Sequence, residues 1–358
     1  MKQINEQFSQ IYVLIRFIPA SILLPANQGM RIFRQGDDMK PGMILCCGEA
    51  LTDFIPRLTQ EGAAAFEPKV GGSVFNTAVA LGRLGIASGF FGGLSTDFFG
   101  DELRKALHAS HVDISLAPVS ERYTIAAFVK LEGGQARYSF IDEGSACRML
   151  APEDLPALPD AISALHLGSF PLALEPCGSA FEALCRREHH KRVVHFDPNI
   201  RANLIKDRSR HRQRVERIVA MADIVKMSDE DLAWMAPESK PEAFAQDWLK
   251  RGARLVVVTR GKDGALAFTP RFKCEIPGAR VTVADTIGAG DTFTAGLLAS
   301  LHGAGLLSKP AIAALDQESV LAALKFAVKA AAVTVSRPGA DPPWAHELAH
   351  ELAHELEG

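Results

Sequence analysis

The sequence predicts an α/β protein: a doubly wound, mainly parallel sheet flanked by helices, with a small β-rich lid beside it. Three observations predict it. From Met43 onward, short apolar or β-branched runs alternate with longer segments of helical period, as in strands joined by crossover helices. Strands such as "RLVVVT" (254–259) are apolar almost without interruption, as strands covered on both faces must be. Two stretches, 51–70 and 122–142, break the alternation and have no place in a parallel sheet.

In chain order, residues 1–42 read as a poorly ordered extension. The apolar run "IYVLIRFIPASILL" (11–24) is interrupted by Arg16 and Pro19 and is shorter than the about 20 residues of a bilayer span. A basic front end and a small-residue cleavage site, the marks of a secretory signal, are not evident around it. Met39 or Met43 is the expected natural start. One domain then spans 43–343, with strands expected at 43–48, 88–92, 162–167, 192–196, 223–226, 254–258 and 264–268. Helices are expected at 72–84, 100–110, 176–190, 209–221, 228–235, 240–251, 289–303 and 316–335. The lid segments lie near 51–70 and 122–142; in the second, "TIAAFVKLEGGQARYSFI" reads as two strands joined through Gly133-Gly134. Residues 344–358 form a helical tail.

The chain has 358 residues, 47% of them hydrophobic, and a formal charge of -3. It is long enough to bury a large core, and its charge balance gives no reason to expect nucleic acid or a membrane as partner. The basic run "RSRHRQRVER" (208–217) reads as a solvated helix face. Six cysteines occur without a C-x-x-C spacing, and the adjacent Cys46 and Cys47 would point to opposite faces of a strand. This predicts a reduced, cytoplasmic protein without structural zinc.

The tail "AHELAHELAHELEG" contains H-E-x-x-H twice, at His346 to His350 and His350 to His354. On a helix this spacing can hold zinc. A repeated tetrapeptide produces the pattern automatically, however, and a zincin needs a third ligand and an enclosing cleft. A plain terminal helix is expected, whose deletion leaves activity intact.

The chemistry is expected elsewhere. In "VADTIGAGDTFTAGLLASL" (283–301), Gly288, Ala289 and Gly290 stand where a loop enters a helix. Their N–H groups can converge there on an anion. Asp291 follows at once, able to take a proton from a hydroxyl while the amides hold a transferring phosphoryl group. In "VGGSVFNTAVALGRLG" (70–85), Gly71-Gly72 lets backbone approach a ligand and Asn76 projects from the first helical turn. Asp53, just after the first strand, joins them at the carboxyl edge of the sheet, where ligands bind in such folds. Asp53 and Asn76 together offer the acceptor and donor capacity a polyol requires.

These two glycine segments, in this order and about 200 residues apart, resemble the paired signatures of ribokinase-like sugar kinases, over roughly 43–343. "VVTRGKDGA" (257–265) is similar to that family's nucleotide loop, and "FAVKAAAVTVSRPGADP" (326–342) to its adenine-side helix and turn. Within the family, "HFDPNIRANL" (195–204), "SFIDEGSACRML" (139–150), "GSFPLALEPCG" (168–178) and "VKMSDEDL" (225–232) resemble bacterial fructokinases.

The resemblance implies Asp291 as catalytic base and Gly288, Ala289 and Gly290 as anion hole. It implies sugar contacts at Asp53, Gly72 and Asn76, with nucleotide contacts at Ser228, Thr259, Gly261, Gly264, Gly288 and Gly290. It also implies a monovalent-cation site at Asp285, Ile287, Thr334, Arg337 and Gly339. ATP and Mg2+ are the expected cofactors, with K+ at that last site, and a homodimer through the lid is the expected assembly. Four positions depart from the pattern: Ser228 and Asp231 replace an Asn-x-x-Glu pair, Cys147 replaces an Asp, Val328 a polar adenine-side residue, and Pro343 a Ser.

The expected activity is ATP-dependent phosphorylation of D-fructose to fructose 6-phosphate. The alternatives are 2-keto-3-deoxygluconate, ribose or a nucleoside as acceptor, and a non-catalytic sugar-binding protein. A ketoacid would call for an extra cation, for which Arg122, Arg137 and Arg148 are candidates.

Overall fold

The computed structural model describes residues 42–132 and 135–348. The amino-terminal extension, the Gly133-Gly134 turn and the tail beyond 348 lie outside the described residues. Fifteen strands are β1 (Met43–Cys47), β2 (Leu51–Leu58), β3 (Ala64–Gly71), β4 (Ser88–Phe91), β5 (Leu94–Ser95), β6 (Val112–Asp113), β7 (Val119–Ser120), β8 (Ile125–Glu132), β9 (Gln135–Ile141), β10 (Ile162–Gly168), β11 (Val193–Asp197), β12 (Ile224–Ser228), β13 (Leu255–Thr259), β14 (Ala265–Phe268) and β15 (Lys273–Ile276) among the described residues.

Nine of them form the main sheet in the order β15-β14-β13-β12-β11-β10-β1-β4-β6. From β13 to β6 every pairing is parallel, and β14 and β15 close one edge as an antiparallel hairpin. The helices are α1 (Ser73–Arg83), α2 (Phe98–Ala109), α3 (Cys177–Glu188), α4 (Arg208–Val219), α5 (Asp229–Met235), α6 (Pro241–Arg251), α7 (Ala289–Gly303), α8 (Lys309–Ala313) and α9 (Gln317–Val335).

The period-two alternation of the strands divides the core in two. Ile44 and Cys46 point into the layer of α1, α7 and α9, while Leu45 and Cys47 point into the layer of α3, α4, α5 and α6. The adjacent cysteines therefore do face opposite ways. Elements that the sequence reading lacks are the short ones: β6, β15, the β5–β7 pair and α8. Two to five residues are too few for a period to show.

The basic run is not the solvated face that its composition predicts. In α4, Arg214 is buried and donates to Glu182 Oε2 at 3.0 Å and Glu175 Oε1 at 2.6 Å. Arg217 also donates to Glu182, and His211 is buried against the ring of Trp234. The carboxylates that draw these residues inward lie on or just before α3, about thirty residues upstream, so local patterning does not show them.

A second sheet, β3-β2-β8-β9, is the expected lid. It is antiparallel except where β2 runs parallel to β8, pairing Leu51 with Ile125 through to Phe54 with Phe128. Phe54 stacks on Phe128 at 4.7 Å between ring centroids and meets Phe99 edge-on at 5.3 Å, which ties the lid to α2. The chain leaves the main sheet at β1, runs out through β2 and back along β3, and re-enters at Gly71-Gly72 as α1 begins.

Candidate active site

Two helix starts meet at the carboxyl edge of the main sheet. Gly72 caps α1 with φ 112°, and a Cβ there would lie 2.8 Å from the Glu49 carbonyl oxygen, so only glycine fits this re-entry. Gly288 caps α7 in the left-handed region with φ 76°, and a Cβ on it would stand 2.7 Å from Ala340 Cβ. Both glycines are demanded by backbone geometry, a reason separate from the ligand approach and anion pocket that the sequence suggests.

Asp291 lies in the first turn of α7, buried, with both oxygens held from α1. Ser73 Oγ donates to Oδ1 at 2.7 Å, and Asn76 Nδ2 donates to Oδ2 at 2.9 Å. Burial raises its pKa; the Ser73 and Asn76 donors and the Lys226 charge oppose that rise. Asn76, expected on the sugar, is thus also a direct partner of the expected base. At the helix entry, the Ala289 amide donates to the Thr286 carbonyl at 3.3 Å and closes the turn. The amides of Gly290 and Asp291 belong to the first helical turn, where no carbonyl of the helix can accept them.

Lys226, on β12, supplies fixed positive charge beneath this loop. Its Nζ lies 3.2 Å from where a Gly290 Cβ would be, and it donates to Asp197 Oδ2 on β11 at 2.8 Å. Both side chains are almost wholly buried. Burial alone would lower the Lys226 pKa, but the Asp197 carboxylate holds it above the ordinary lysine value.

On the side expected to take the sugar, Asp53 sits on β2 with Oδ2 2.6 Å from where a Gly71 Cβ would be. Its pKa is pushed up to about 6 by burial, against the Arg201 charge and with help from Asp291. Arg201 is anchored by donating to Asn199 Oδ1 at 2.5 Å, and Asn199 Nδ2 donates to Ser73 Oγ at 2.5 Å. Behind them Glu49 Oε1 accepts the Ser73 amide at 2.7 Å, and its Oε2 is buried without a partner. Burial raises the Glu49 pKa to about 7.

The expected nucleotide residues gather at the ends of β12 and β13. Thr259 ends β13 and donates from Oγ1 to the Met227 carbonyl at 3.3 Å. Gly261 and Gly264 turn the chain into β14 with φ 52° and 87°; a Cβ on Gly264 would meet the Ile276 carbonyl at 2.0 Å. The Ser228 hydroxyl accepts the Asp231 amide as the N-cap of α5, while Asp231 accepts the amides of Ser228 and Ile200. Both side chains at the Asn-x-x-Glu positions are therefore engaged in a capping box.

The expected cation residues form one locus. Asp285 accepts the Ile287 amide at 3.0 Å through Oδ1 and the Gly339 amide at 2.9 Å through Oδ2, joining 284–288 to the turn after α9. The Thr334 hydroxyl faces away, donating to Thr292 Oγ1 at 2.9 Å, and the Arg337 guanidinium points outward to Glu347. Only backbone oxygens of those two residues can serve an ion there. Among the described residues, no cluster of three His, Cys, Asp or Glu could hold a metal.

Sequence reading misses Glu49, Ser73, Asp197, Asn199, Arg201 and Lys226. Asp197 and Lys226 carry a legible signal: each is a charged residue near the carboxyl end of an otherwise apolar strand, "VVHFD" and "IVKMS". Ser73 stands between two residues already singled out. Glu49 and Asn199 give no comparable sign.

The pfkB family carbohydrate kinase model matches residues 42–347. A fructokinase of Rhizobium leguminosarum bv. trifolii is 50% identical over 278 residues, 78% of this chain and 85% of that protein. The crystal structure of a fructokinase with bound ATP from Xylella fastidiosa has a TM-score of 0.81 at 28% identity, covering 88% of this chain and 100% of the other. The fructokinase of Vibrio cholerae O395 in its fructose-, ADP- and calcium-bound form has a TM-score of 0.73 at 30% identity, covering 84% and 94%; a double mutant of it is in fructose-, ADP- and potassium-bound form. With the sheet, the lid and the two glycine-led helices on the same edge, the chain belongs to the pfkB family of carbohydrate kinases.

Proposed function

We propose that this enzyme transfers the γ-phosphoryl group of ATP to the 6-hydroxyl of D-fructose, with Asp291 as base. The carrying observation is the buried Asp291 carboxylate, gripped by Ser73 and Asn76 at the start of α7 and backed by Lys226. The hydroxyl oxygen attacks the γ-phosphorus in line as its proton passes to Asp291. The bond from that phosphorus to the leaving oxygen of ADP breaks, and the electron pair stays on ADP. Amides at the start of α7 and the Lys226 ammonium face the charge on the phosphoryl oxygens, so most of the acceleration comes from positioning and electrostatics. Asp53, Gly72 and Asn76 line the sugar side; Thr259, Gly261, Gly264 and the α5 cap at Ser228 line the nucleotide side.

Bound with the nucleotide, magnesium would supply charge neutralisation at the phosphates. A protein lacking a carboxylate cage among its described residues suits an ion that keeps water and phosphate oxygens as ligands. Potassium fits the locus of Asp285, Ile287, Thr334, Arg337 and Gly339, where the donors are hard oxygens. Fructose is favoured over a ketoacid by the 50% identity to a fructokinase over 278 residues, and Arg148, one of the three candidate cations, is paired with Asp142 at 2.7 Å. Exposed Leu58 and Phe66, on the β2–β3 hairpin of the lid, support a homodimer through the lid. Six free, buried thiols support a cytoplasmic setting.

The test is ADP release with ATP, magnesium and potassium against fructose, glucose, ribose, 2-keto-3-deoxygluconate and adenosine. Fructose turnover is expected, with Asp291→Asn losing about two orders of magnitude or more in kcat while fructose binding persists. An active Asp291→Asn enzyme removes Asp291 from the role of base, and turnover on another acceptor moves the substrate.

A further inference from the structure

Residues 344–348, the start of a tail that composition predicts to be a dispensable helix, are built into the domain. Leu348 is buried and belongs to the core layer of α1, α7 and α9. Glu347 Oε1 accepts from the Arg337 guanidinium at 2.6 Å, and Oε2 accepts the Trp344 amide at 2.7 Å. The Arg83 guanidinium, at the end of α1, lies 5.3 Å from the Trp344 ring centroid, and Arg83 Nη1 donates to Asp341 Oδ1 at 2.6 Å and the Pro342 carbonyl at 2.9 Å.

Arg337 belongs to the turn that follows α9, and the end of α9 with that turn touches the 284–288 loop at three points. Asp285 accepts the Gly339 amide, the Ala284 amide donates to the Val335 carbonyl at 2.8 Å, and Ala340 fills the space that a Gly288 side chain would need. An unbroken series of contacts thus runs from Glu347 through Arg337 to the loop that starts α7.

We propose that Glu347, together with Trp344, is a positioning residue for the nucleotide side of the site, holding the 335–341 turn in register against 284–288 through Arg337. The proposal rests on the kinase reading for what that loop binds. It separates the two halves of the site: α1, which carries Asn76, is held by its buried face from Val74 to Gly82 and meets this segment at its far end, through Arg83.

The test uses the full-length protein and its Glu347→Gln, Glu347→Ala and Glu347→Asp variants. Titration calorimetry with a non-hydrolysable ATP analogue reads nucleotide affinity without turnover, alongside KM for ATP and for fructose and the melting temperature. Glu347→Gln and Glu347→Ala are expected to weaken nucleotide binding roughly fivefold to tenfold and raise KM for ATP to match. KM for fructose stays within about twofold, and Glu347→Asp recovers part of the loss. Folded variants with unchanged nucleotide affinity, or with both KM values moving together, overturn the proposal. If Glu347→Ala does not fold, Arg337→Lys is measured instead, since it keeps the charge and loses the two-pronged contact. Wild-type protein that binds the analogue without phosphorylating fructose sinks the proposed reaction, while the affinity comparison still decides the role of Glu347.

Discussion

Three carboxyl groups at this site, Asp291, Asp53 and Glu49, are raised by burial, and the signs of their effects differ. Asp291 must be ionised to take a proton. With its pKa raised, that form is lost at a higher pH than for an ordinary carboxylate as pH falls. The acid limb of kcat/KM for fructose should therefore lie above the usual carboxylate range, with Asp53 titrating near 6 beside it. A profile flat down to pH 4.5 contradicts this. Glu49 acts on stability. Its folded pKa of about 7 exceeds its ordinary 4.5, so the folded chain holds the proton more tightly between those values. Its contribution to folding is most favourable below about 4.5 and declines as pH rises through 7. Glu49→Gln should then raise the melting temperature at pH 8 and leave it nearly unchanged at pH 5. Gly288→Ala places a Cβ 2.7 Å from Ala340 at φ 76°. Backbone strain of about 1–2 kcal/mol and displacement of the loop should lower kcat about tenfold or more. Gly261→Ala, at φ 52° with open space around it, carries the strain alone and should do less.

Among the elements, α1 and α7 were legible because each couples a glycine entry to a long apolar face, both local features. The inward turn of α4 was not. Arg214 and Glu182 attract each other across two helices, and a stretch of ten residues shows only the abundance of arginine. Since Arg214 is buried with Glu175 and Glu182, Arg214→Met leaves carboxylates short of a partner and should cost about 3 kcal/mol of stability in urea unfolding. The exposed Arg212, whose partner is Glu216 four residues on, should cost under about 0.5 kcal/mol when changed to Ala. Equal losses for the two would show that α4 is as solvated as its composition predicts.

At the scale of the molecule, the lid and the main sheet are joined through the β1–β2 and β3–α1 connections, and the site lies at that junction. The exposed Leu58 and Phe66 set the outer character of the lid. If copies pair there, the double variant Leu58→Asp, Phe66→Asp should sediment as a monomer where the native chain sediments as a dimer. A native chain already monomeric at micromolar concentration removes the lid as an interface.

The sequence by itself determined the layer order, since strand and helix periods are written in neighbouring residues. It also determined the two glycine-led helix starts, because a left-handed or crowded backbone admits little else, and it pointed to Asp291, Asn76 and Asp53 as the residues proposed for the site. Only the tertiary structure decided what surrounds them. Ser73 and Asn76 come from 215 or more positions away to grip Asp291, and Lys226 reaches Asp197 across 29. Glu347 reaches back ten positions to accept from the Arg337 guanidinium. Each of these depends on which strands are neighbours in the sheet and where the helices cross it. Side-chain partnership over such separations is a property of packing, which local periodicity does not encode.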